Sequence, residues 1–321
     1  MKAFRHIISR SLTLAHGRFL LRVLLLGVAI GLPLAGRAAD AIRTFATAEE
    51  AATALAAGVK TQDGDTMRSI FGPSLEDIAN PDRVQATNEF RAFAAALEEK
   101  QRLIHESDAK CVLELGTNRW PFPIPIVQRD GRWFFDTAAG KEELLNRRIG
   151  KNELAVLEVM RAYVDAQREY ASRDRDGDEV LKYAQKLTSS PGRHDGLYWP
   201  PDSGGEMSPL GPFVAHAHHE GYALEKEKEA PEPFHGYFFK ILTCQGRHAP
   251  GGKYSYVING NMIGGFALVA WPAEYGQSGV MTFIVNQQGR IYQKDLGAAT
   301  SRTANKMSAY DPDDSWQISP D

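Results

Sequence analysis

Five short segments between residues 234 and 297 constrain the fold more than any other part of the chain. Each is rich in aromatic and β-branched residues and is bounded by Gly, Pro or Asn, a pattern typical of short β-strands. The segments are residues 236–244, 254–259, 266–271, 281–286 and 290–296. Glycines at the ends of these segments can close tight turns. The sequence therefore predicts an antiparallel meander in the C-terminal half.

The first 38 residues form a basic and apolar leader. They contain six basic residues and no acid, around an apolar run at 23–32. This is the pattern of a Sec-type secretory signal peptide. We predict cleavage after Ala38, with Ala39 as the alternative. The apolar run is shorter than the ~20 residues that a membrane span needs. An uncleaved anchor stays the alternative, but we expect a periplasmic or secreted protein with no stable membrane span.

The charge of the remaining chain argues against nucleic acid as a partner. The full sequence has 37 Lys and Arg against 40 Asp and Glu. Removing the six basic residues of the leader leaves 31 against 40, a formal charge of −9. A chain with this balance does not attract phosphate backbones by its overall field. We therefore expect no nucleic-acid partner.

The two cysteines, Cys111 and Cys244, lie far apart in the sequence. In an oxidising compartment they could pair across a domain interface, and two buried free thiols are the alternative. The sequence leaves this choice open. Neither cysteine has a neighbouring metal-ligand spacing, and we expect no cofactor.

Residues 39–149 are predicted to form an N-terminal α+β domain. Helical periodicity covers 47–59, 66–71 and 85–103, and Thr47 with Glu50 has the spacing of a capping box. Strand patterns follow at 109–115, 124–129 and 132–135, the last two joined by Asp130 and Gly131, a strong hairpin signal. This order of helices and strands resembles the nuclear transport factor 2-like domains, in which helices pack on a curved sheet.

A long helical pattern at 141–174, with a possible break at Gly150, begins the predicted C-terminal domain of residues 150–300. With the strands after it, this half resembles the globular head of type IV pilins and pseudopilins, where a helix packs on an antiparallel sheet. The resemblance rests on residues 166–171, 236–239, 270–272, 282–286 and 289–292. No continuous apolar pilin helix precedes it, so we do not expect the chain to polymerise as a pilin does. The tail at 301–321 is predicted to be poorly packed.

Catalytic motifs are not apparent in the sequence. It contains no nucleophile elbow and no His-Glu-x-x-His helix, and Ser189 and Ser190 are expected to lack a neighbouring Lys. The best catalytic candidates are His235 with Glu274 and Asp295, because a His beside a carboxylate can act as a general base. These residues carry the alternative hypothesis of a periplasmic hydrolase.

Candidate metal and binding residues lie in loops. Asp174, Asp176 and Asp178 resemble the start of a calcium loop, but Glu179 replaces the required Gly and Gln185 replaces the final Glu. A solvated turn is the alternative reading. Aromatic side chains in Pro- and Gly-rich segments are candidates for contact with a partner. These candidates are Trp120, Tyr198, Trp199, Trp271 and Tyr275.

Several blocks together resemble the exported bacterial family called domain of unknown function 2950. The blocks begin at residues 120, 135, 146, 162, 195 and 264, and read WPFPIP, FDTAAG, NRRIG, AYVDAQREY, DGLYWP and GGFALVAWPAEY. The resemblance implies a secreted or periplasmic protein and supplies no catalytic residue. We therefore expect a non-enzymatic envelope protein that presents aromatic-rich edges to a protein or glycan partner.

Overall fold

Helices and antiparallel sheets build the chain, which confirms the α+β prediction. The computed structural model describes residues 42–320 apart from 176, 202–204 and 223–232. The helices in this part are α1 Ala48–Thr61, α2 Gly64–Phe71, α3 Leu75–Ile78, α4 Arg83–Glu99, α5 Thr137–Tyr170, α6 Gly211–Glu220 and α7 Thr300–Lys306. A 3-10 turn, Gly297–Ala299, leads into α7. The predicted signal peptide lies outside the described residues.

The strands form four sheets in the described residues. Those of the first half are β1 Gln101–Ser107, β2 Lys110–Leu115, β3 Trp120–Pro121, β4 Ile126–Arg129 and β5 Arg132–Phe135. Those of the second half are β6 Tyr237–Leu242, β7 Cys244–Gln245, β8 Tyr254–Ser255, β9 Val257–Ile258, β10 Asn261–Met262, β11 Ala267–Pro272, β12 Met281–Asn286, β13 Ile291–Asp295, β14 Ala309–Tyr310 and β15 Gln317–Ile318.

Local signals place the first helix and the hairpin of β4 and β5 as predicted. The Thr47 hydroxyl accepts from the Glu50 amide at 3.1 Å, and a Glu50 carboxylate oxygen accepts from the amide of Ala46 at 3.0 Å. Asp130 and Gly131 both have positive φ, 52° and 75°, as a tight hairpin turn requires. The helix α1 then packs its buried face on the sheet of β1 to β5 and closes the N-terminal hydrophobic cluster.

The predicted helix at 85–103 is too long. Helix α4 ends at Glu99, Lys100 is extended, and β1 begins at Gln101 and pairs with β2. Strand β1 has no second neighbour in its sheet, and none of its seven side chains is fully buried. The strand sequence QRLIHES has no clean apolar alternation, and its composition is equally compatible with the end of a helix.

Helix α5 is continuous over 34 residues, so the predicted break at Gly150 is wrong. Asp136 caps its start, accepting from the amide of Ala139 at 3.0 Å. Its first turns pack on the N-terminal half, while Val156, Met160 and Tyr163 face the C-terminal cluster. The described residues between 42 and 320 belong to one compact unit. The division into domains at 149 and 150 stays a prediction.

The main C-terminal sheet has the order β15, β13, β12, β11, β6, and every pairing in it is antiparallel. The predicted strand at 281–286 matches β12. The predicted strand at 254–259 does not join this sheet. It divides instead into β8, which pairs with β7, and β9, which forms a small hairpin with β10. The fold resemblances to pilin heads and to nuclear transport factor 2-like domains stay predictions.

The C-terminal tail is packed, contrary to the prediction for 301–321. Ala304 and Tyr310 are buried in the C-terminal cluster. Strand β14 pairs in parallel with β7, and β15 extends the main sheet beside β13. The sequence does not reveal this packing, because strands β14 and β15 are only two residues long and the Asp residues of the tail are typical of a solvent-exposed segment. Helix α7 nevertheless covers β11.

Both cysteines are free thiols. Cys111 is buried in β2, with its Sγ 3.2 Å from Nδ1 of His105. Burial raises the pKa of Cys111, so the thiol form is favoured over the thiolate and the group is a poor nucleophile. The Cys244 thiol donates to the carbonyl of Ser308 at 3.2 Å. Within the described residues, no helix is both long and apolar enough to span a membrane.

Candidate functional site

His235 lies where α4, α5, α6 and the start of β6 meet. Its Nε2 is 3.0 Å from Oε2 of Glu220, the last residue of α6, and its Nδ1 is 3.0 Å from Nε2 of Gln85 on α4. The backbone of His235 is left-handed, with φ 46°, and Gly236 follows with φ 71°. A Cβ on Gly236 would come within 2.7 Å of Asn152 Nδ2. Glycine at 236 therefore allows the chain to turn tightly over α5.

A chain of hydrogen bonds determines which nitrogen of His235 carries the proton. The backbone carbonyl of Ser278 can only accept, and it accepts from Asn152 Nδ2 at 2.8 Å. The Asn152 oxygen must then accept from Gln85 Nε2, at 2.9 Å. Because Gln85 Nε2 is a donor, Nδ1 of His235 accepts and Nε2 holds the hydrogen that faces Glu220. Neither ring nitrogen has a free lone pair for a general base. We call Gln85, Asn152, Glu220, His235 and Ser278 the junction network.

Asp82 connects the junction network to two further segments. Its Oδ1 caps α4, accepting from the amides of Val84 and Gln85 at 3.0 and 3.1 Å. Its Oδ2 accepts from the Tyr222 hydroxyl at 2.7 Å and from the amide of Gly236 at 3.3 Å. Burial and the neighbouring Asp82 carboxylate raise the pKa of Tyr222, so the phenol stays protonated and keeps donating. Asp82 is thus fully used in holding the chain together.

Burial lowers the pKa of His235, although the charges of Glu220 and Asp82 act in the opposite direction. Lys151, on the neighbouring turn of α5, reinforces the lowering. The hydrogen-bond pattern agrees with this direction, because a second proton on Nδ1 would face the donating amide of Gln85. The folded chain therefore favours neutral His235.

We expect acidification to destabilise the fold through His235. Because its folded-state pKa is lowered, the unfolded chain takes up the proton first as the pH falls through 6.5. The stabilisation is complete above that pH and is lost as the pH falls towards the folded-state pKa. Urea unfolding at pH about 7.5 and about 5.5 brackets this interval. His235→Asn, which tolerates positive φ and does not titrate there, should lose less stability over the interval. An equal loss would contradict the assignment.

The carboxylate beside His235 is Glu220 rather than the predicted Glu274 or Asp295. Glu274 lies in the turn before β12, where its carbonyl accepts from the Ser278 hydroxyl and amide. Asp295 ends β13, and its carboxylate accepts from the Tyr275 hydroxyl at 3.2 Å and from the amide of Gly297 at 2.7 Å. The structure therefore places a different carboxylate beside His235, and a catalytic role for His235 stays a prediction.

A lysine does reach Ser190, contrary to the sequence prediction. Lys186 Nζ lies 2.7 Å from the Ser190 hydroxyl and 2.7 Å from Asp195 Oδ2, and the hydroxyl itself donates to Asp195 at 3.0 Å. Burial raises the pKa of Asp195, but hydrogen bonds from Lys186 and Ser190 outweigh it and hold the pKa at about 2. Lys186 Nζ and the Ser190 hydroxyl thus contact the same carboxylate oxygen, Oδ2 of Asp195. The cluster closes the loop between residues 186 and 195.

The candidate binding aromatics divide into buried and exposed groups. Trp199 stacks on His194 with ring centres 4.1 Å apart and lies under the guanidinium of Arg175, so its faces are occupied. Trp271 is 5% exposed and Tyr198 is 4% exposed, so neither forms an open edge. Trp120 is 36% exposed and Tyr275 is 37% exposed. Only these two of the five candidates present substantial surface.

The acidic loop is held by its own backbone. Asp174 accepts from the amides of Gly177 and Glu179, each at 2.8 Å, and Asp178 pairs with Lys182 at 2.6 Å. Asp176 lies outside the described residues. Across the described part of the chain, no three His, Cys, Asp or Glu residues are grouped so that they could hold a metal ion.

An apolar cavity of about 150 Å³ lies between α5, α6 and the main sheet, partly open to solvent. Eleven side chains line it, and apart from Thr188 they are apolar or aromatic. The aromatic members are Tyr163, Tyr198, Phe213, Phe234 and Phe239. The Tyr163 hydroxyl donates to the Ala267 carbonyl at 3.1 Å and accepts from Gln167, so it is already paired. The cavity therefore suits an apolar group.

The same segments form the cavity and the junction network. Phe234 lines the cavity and immediately precedes His235. Helix α6 contributes Phe213 and Val214 to the wall and ends at Glu220, the partner of His235. The junction network thus holds one wall of the cavity in place.

One known protein family includes the residues that form this arrangement. A family described as Protein of unknown function (DUF2950) matches residues 42–318. The chain belongs to this family. The DUF2950 match covers the N-terminal and C-terminal hydrophobic clusters, the junction network and the cavity, so all of them are parts of the family's domain. No curated protein and no solved structure matches the chain.

Proposed function

We propose that this DUF2950 protein is exported and acts as a non-enzymatic binding module in the cell envelope. The observation that carries the proposal is the apolar cavity, which is partly open and lined by side chains whose polar groups are few. A cavity with these properties is the usual place for a ligand group. Because the lining offers little hydrogen bonding to hydroxyl groups, a protein side chain suits it better than a sugar.

The basic and apolar leader supports export. It has the order of charge and hydrophobicity found in signal peptides, and the family match begins after it, at residue 42. Mass spectrometry of the protein recovered from a bacterial periplasmic fraction tests this directly. We expect a mature chain that begins at Ala39, or at Asp40 if cleavage follows Ala39. Recovery of the full-length chain in the cytoplasm would contradict export.

The tautomer of His235, whose Nδ1 accepts from Gln85 while Nε2 carries the hydrogen, supports a non-enzymatic role. The alternative, a periplasmic hydrolase, has one observation in its favour, the 3.0 Å contact between His235 and Glu220. Peptidoglycan and ester hydrolysis by the purified mature protein distinguishes the two. We expect no turnover above buffer. Turnover that is abolished in His235→Asn while the variant stays folded would establish the hydrolase.

Binding is tested with the mature protein and a variant in which the cavity is filled. Val159 on α5 lines the cavity, so Val159→Phe should occupy it. The exposed Leu154 on the same helix gives the matched control, Leu154→Phe. Both variants are compared with wild type for crosslinking to isolated envelope proteins and for binding to purified peptidoglycan. We expect a protein crosslink that only Val159→Phe loses. Peptidoglycan binding that only this variant loses would replace the protein partner by a glycan.

A further inference from the structure

We infer that the cavity receives one aromatic ring, the side chain of a phenylalanine in the partner protein; this rests on the proposed binding function. The volume of the cavity is the first observation that supports this. An apolar cavity of about 150 Å³ in another protein stays dry and binds benzene, so a single six-membered ring fits such a space. The cavity here has the same size. A fused double ring or a long acyl chain would exceed it.

The lining distinguishes a ring from a branched aliphatic group. Five of the eleven lining residues are aromatic. Aromatic rings attract one another in edge-to-face arrangements beyond the effect of buried area, at about 0.5–1.5 kcal/mol a pair. Some of the wall rings already pack in this way, since Phe213 and Phe234 have centres 5.3 Å apart with planes at 67°. An entering ring can continue the pattern.

The polar groups of the wall distinguish phenylalanine from tyrosine. The Tyr163 hydroxyl is paired with Ala267 and Gln167. Most of the remaining lining is hydrocarbon, contributed by residues such as Leu187, Leu210 and Leu268. A phenol hydroxyl buried among these groups would lose its hydrogen bonds with water without adequate replacement, which is costly. The cavity should therefore prefer an unsubstituted ring.

Toluene, the side-chain analogue of phenylalanine, is the probe for this inference. It is titrated into the mature protein alongside p-cresol, the tyrosine analogue, and octanoate, which represents an acyl chain. Chemical-shift changes and thermal unfolding report binding. We expect saturable toluene binding, p-cresol binding at least about tenfold weaker, corresponding to about 1.4 kcal/mol, and no saturable octanoate binding.

Variants in which the cavity is filled test whether toluene binds there. Val159→Phe should weaken toluene binding at least about tenfold, while the exposed control Leu154→Phe should leave it unchanged. If Val159→Phe does not fold, Val214→Phe fills the same space from α6. Toluene binding that neither filled variant weakens would place the ring elsewhere and overturn the inference.

The probes also separate this inference from the proposed function. Octanoate or p-cresol binding that the filled variant loses, with no toluene binding, would overturn the phenylalanine assignment and leave a binding cavity. If no probe binds but the filled variant still loses the crosslink, the binding cavity stands and the phenylalanine assignment fails. If no probe binds and the crosslink is also absent in wild type, both proposals fail.

Discussion

Asn152→Ala should lower the free energy of unfolding by about 2–5 kcal/mol. Asn152 is fully buried on α5 and joins Gln85 to Ser278, accepting from the first and donating to the second. Its removal leaves the Ser278 carbonyl and a Gln85 N–H without these partners, and each unsatisfied buried group costs about 1–3 kcal/mol. The deleted amide also leaves a small cavity. Urea unfolding of the mature protein measures the loss.

Asn146→Ala is the matched control for this prediction. Asn146 is exposed on the same helix, fewer than two turns before Asn152. Its replacement should change stability by no more than about 0.5 kcal/mol, as surface substitutions usually do. If both variants lose equally little, the network does not stabilise the fold. A double-mutant cycle of Asn152→Ala and His235→Asn measures the coupling free energy between these two residues. It should be about 0.5–3 kcal/mol, because both residues bind Gln85.

Elements with strong local signals were predictable from the sequence. The hairpin at Asp130 and Gly131 needs two residues with positive φ, and the sequence supplies the two that adopt it readily. Helix α1 begins where Thr47 can cap it. Strand β12 is bounded by turn residues on both sides. In each case the determining interaction lies within a few residues, so no tertiary information is needed.

Elements that depend on distant contacts were not predictable in the same way. Strand β1 is defined by its pairing with β2, and its own residues carry no strand alternation. Strands β14 and β15 are two residues long and exist because β7 and β13 lie beside them. The continuity of α5 through Gly150 comes from packing along its length, which outweighs the low helix propensity of one glycine.

The candidate site also depends on contacts between distant residues, so local sequence signals predict only part of it. His235 could be recognised in the sequence as a histidine able to take part in catalysis. Its partner Gln85 lies 150 residues away, and their contact comes from the fold alone. One signal was available. Asn152 lies on the same face of α5 as Val156 and Met160, and a polar residue within an apolar stripe must find a buried partner. That signal indicates a structural polar network more directly than it indicates catalysis.

The two glycines of α5 should respond in opposite directions to the same substitution. A Cβ on Gly140 would lie 2.8 Å from the Ile124 Cα and 3.0 Å from the Pro123 carbonyl, so Gly140→Ala must push the helix away from a proline-rich backbone. This overpacking should cost about 1–3 kcal/mol. In the described part of the chain, nothing lies within 4 Å of a Cβ on Gly150. Gly150→Ala should therefore gain the helix propensity of alanine, about 0.5–1 kcal/mol.

Thermal and urea unfolding of both variants measure the difference, which should reach about 1.5–4 kcal/mol. Each substitution adds the same methyl group to the same helix, so propensity and unfolded-state effects are common to both. The difference between them isolates the close approach of α5 to Pro123 and Ile124. If Gly140→Ala stabilises the chain as much as Gly150→Ala, the first turns of α5 are not held against that segment. A loss in Gly140→Ala alone shows that this segment, with its three prolines at alternate positions, is a fixed support for the helix that also contributes Asn152 and Val159.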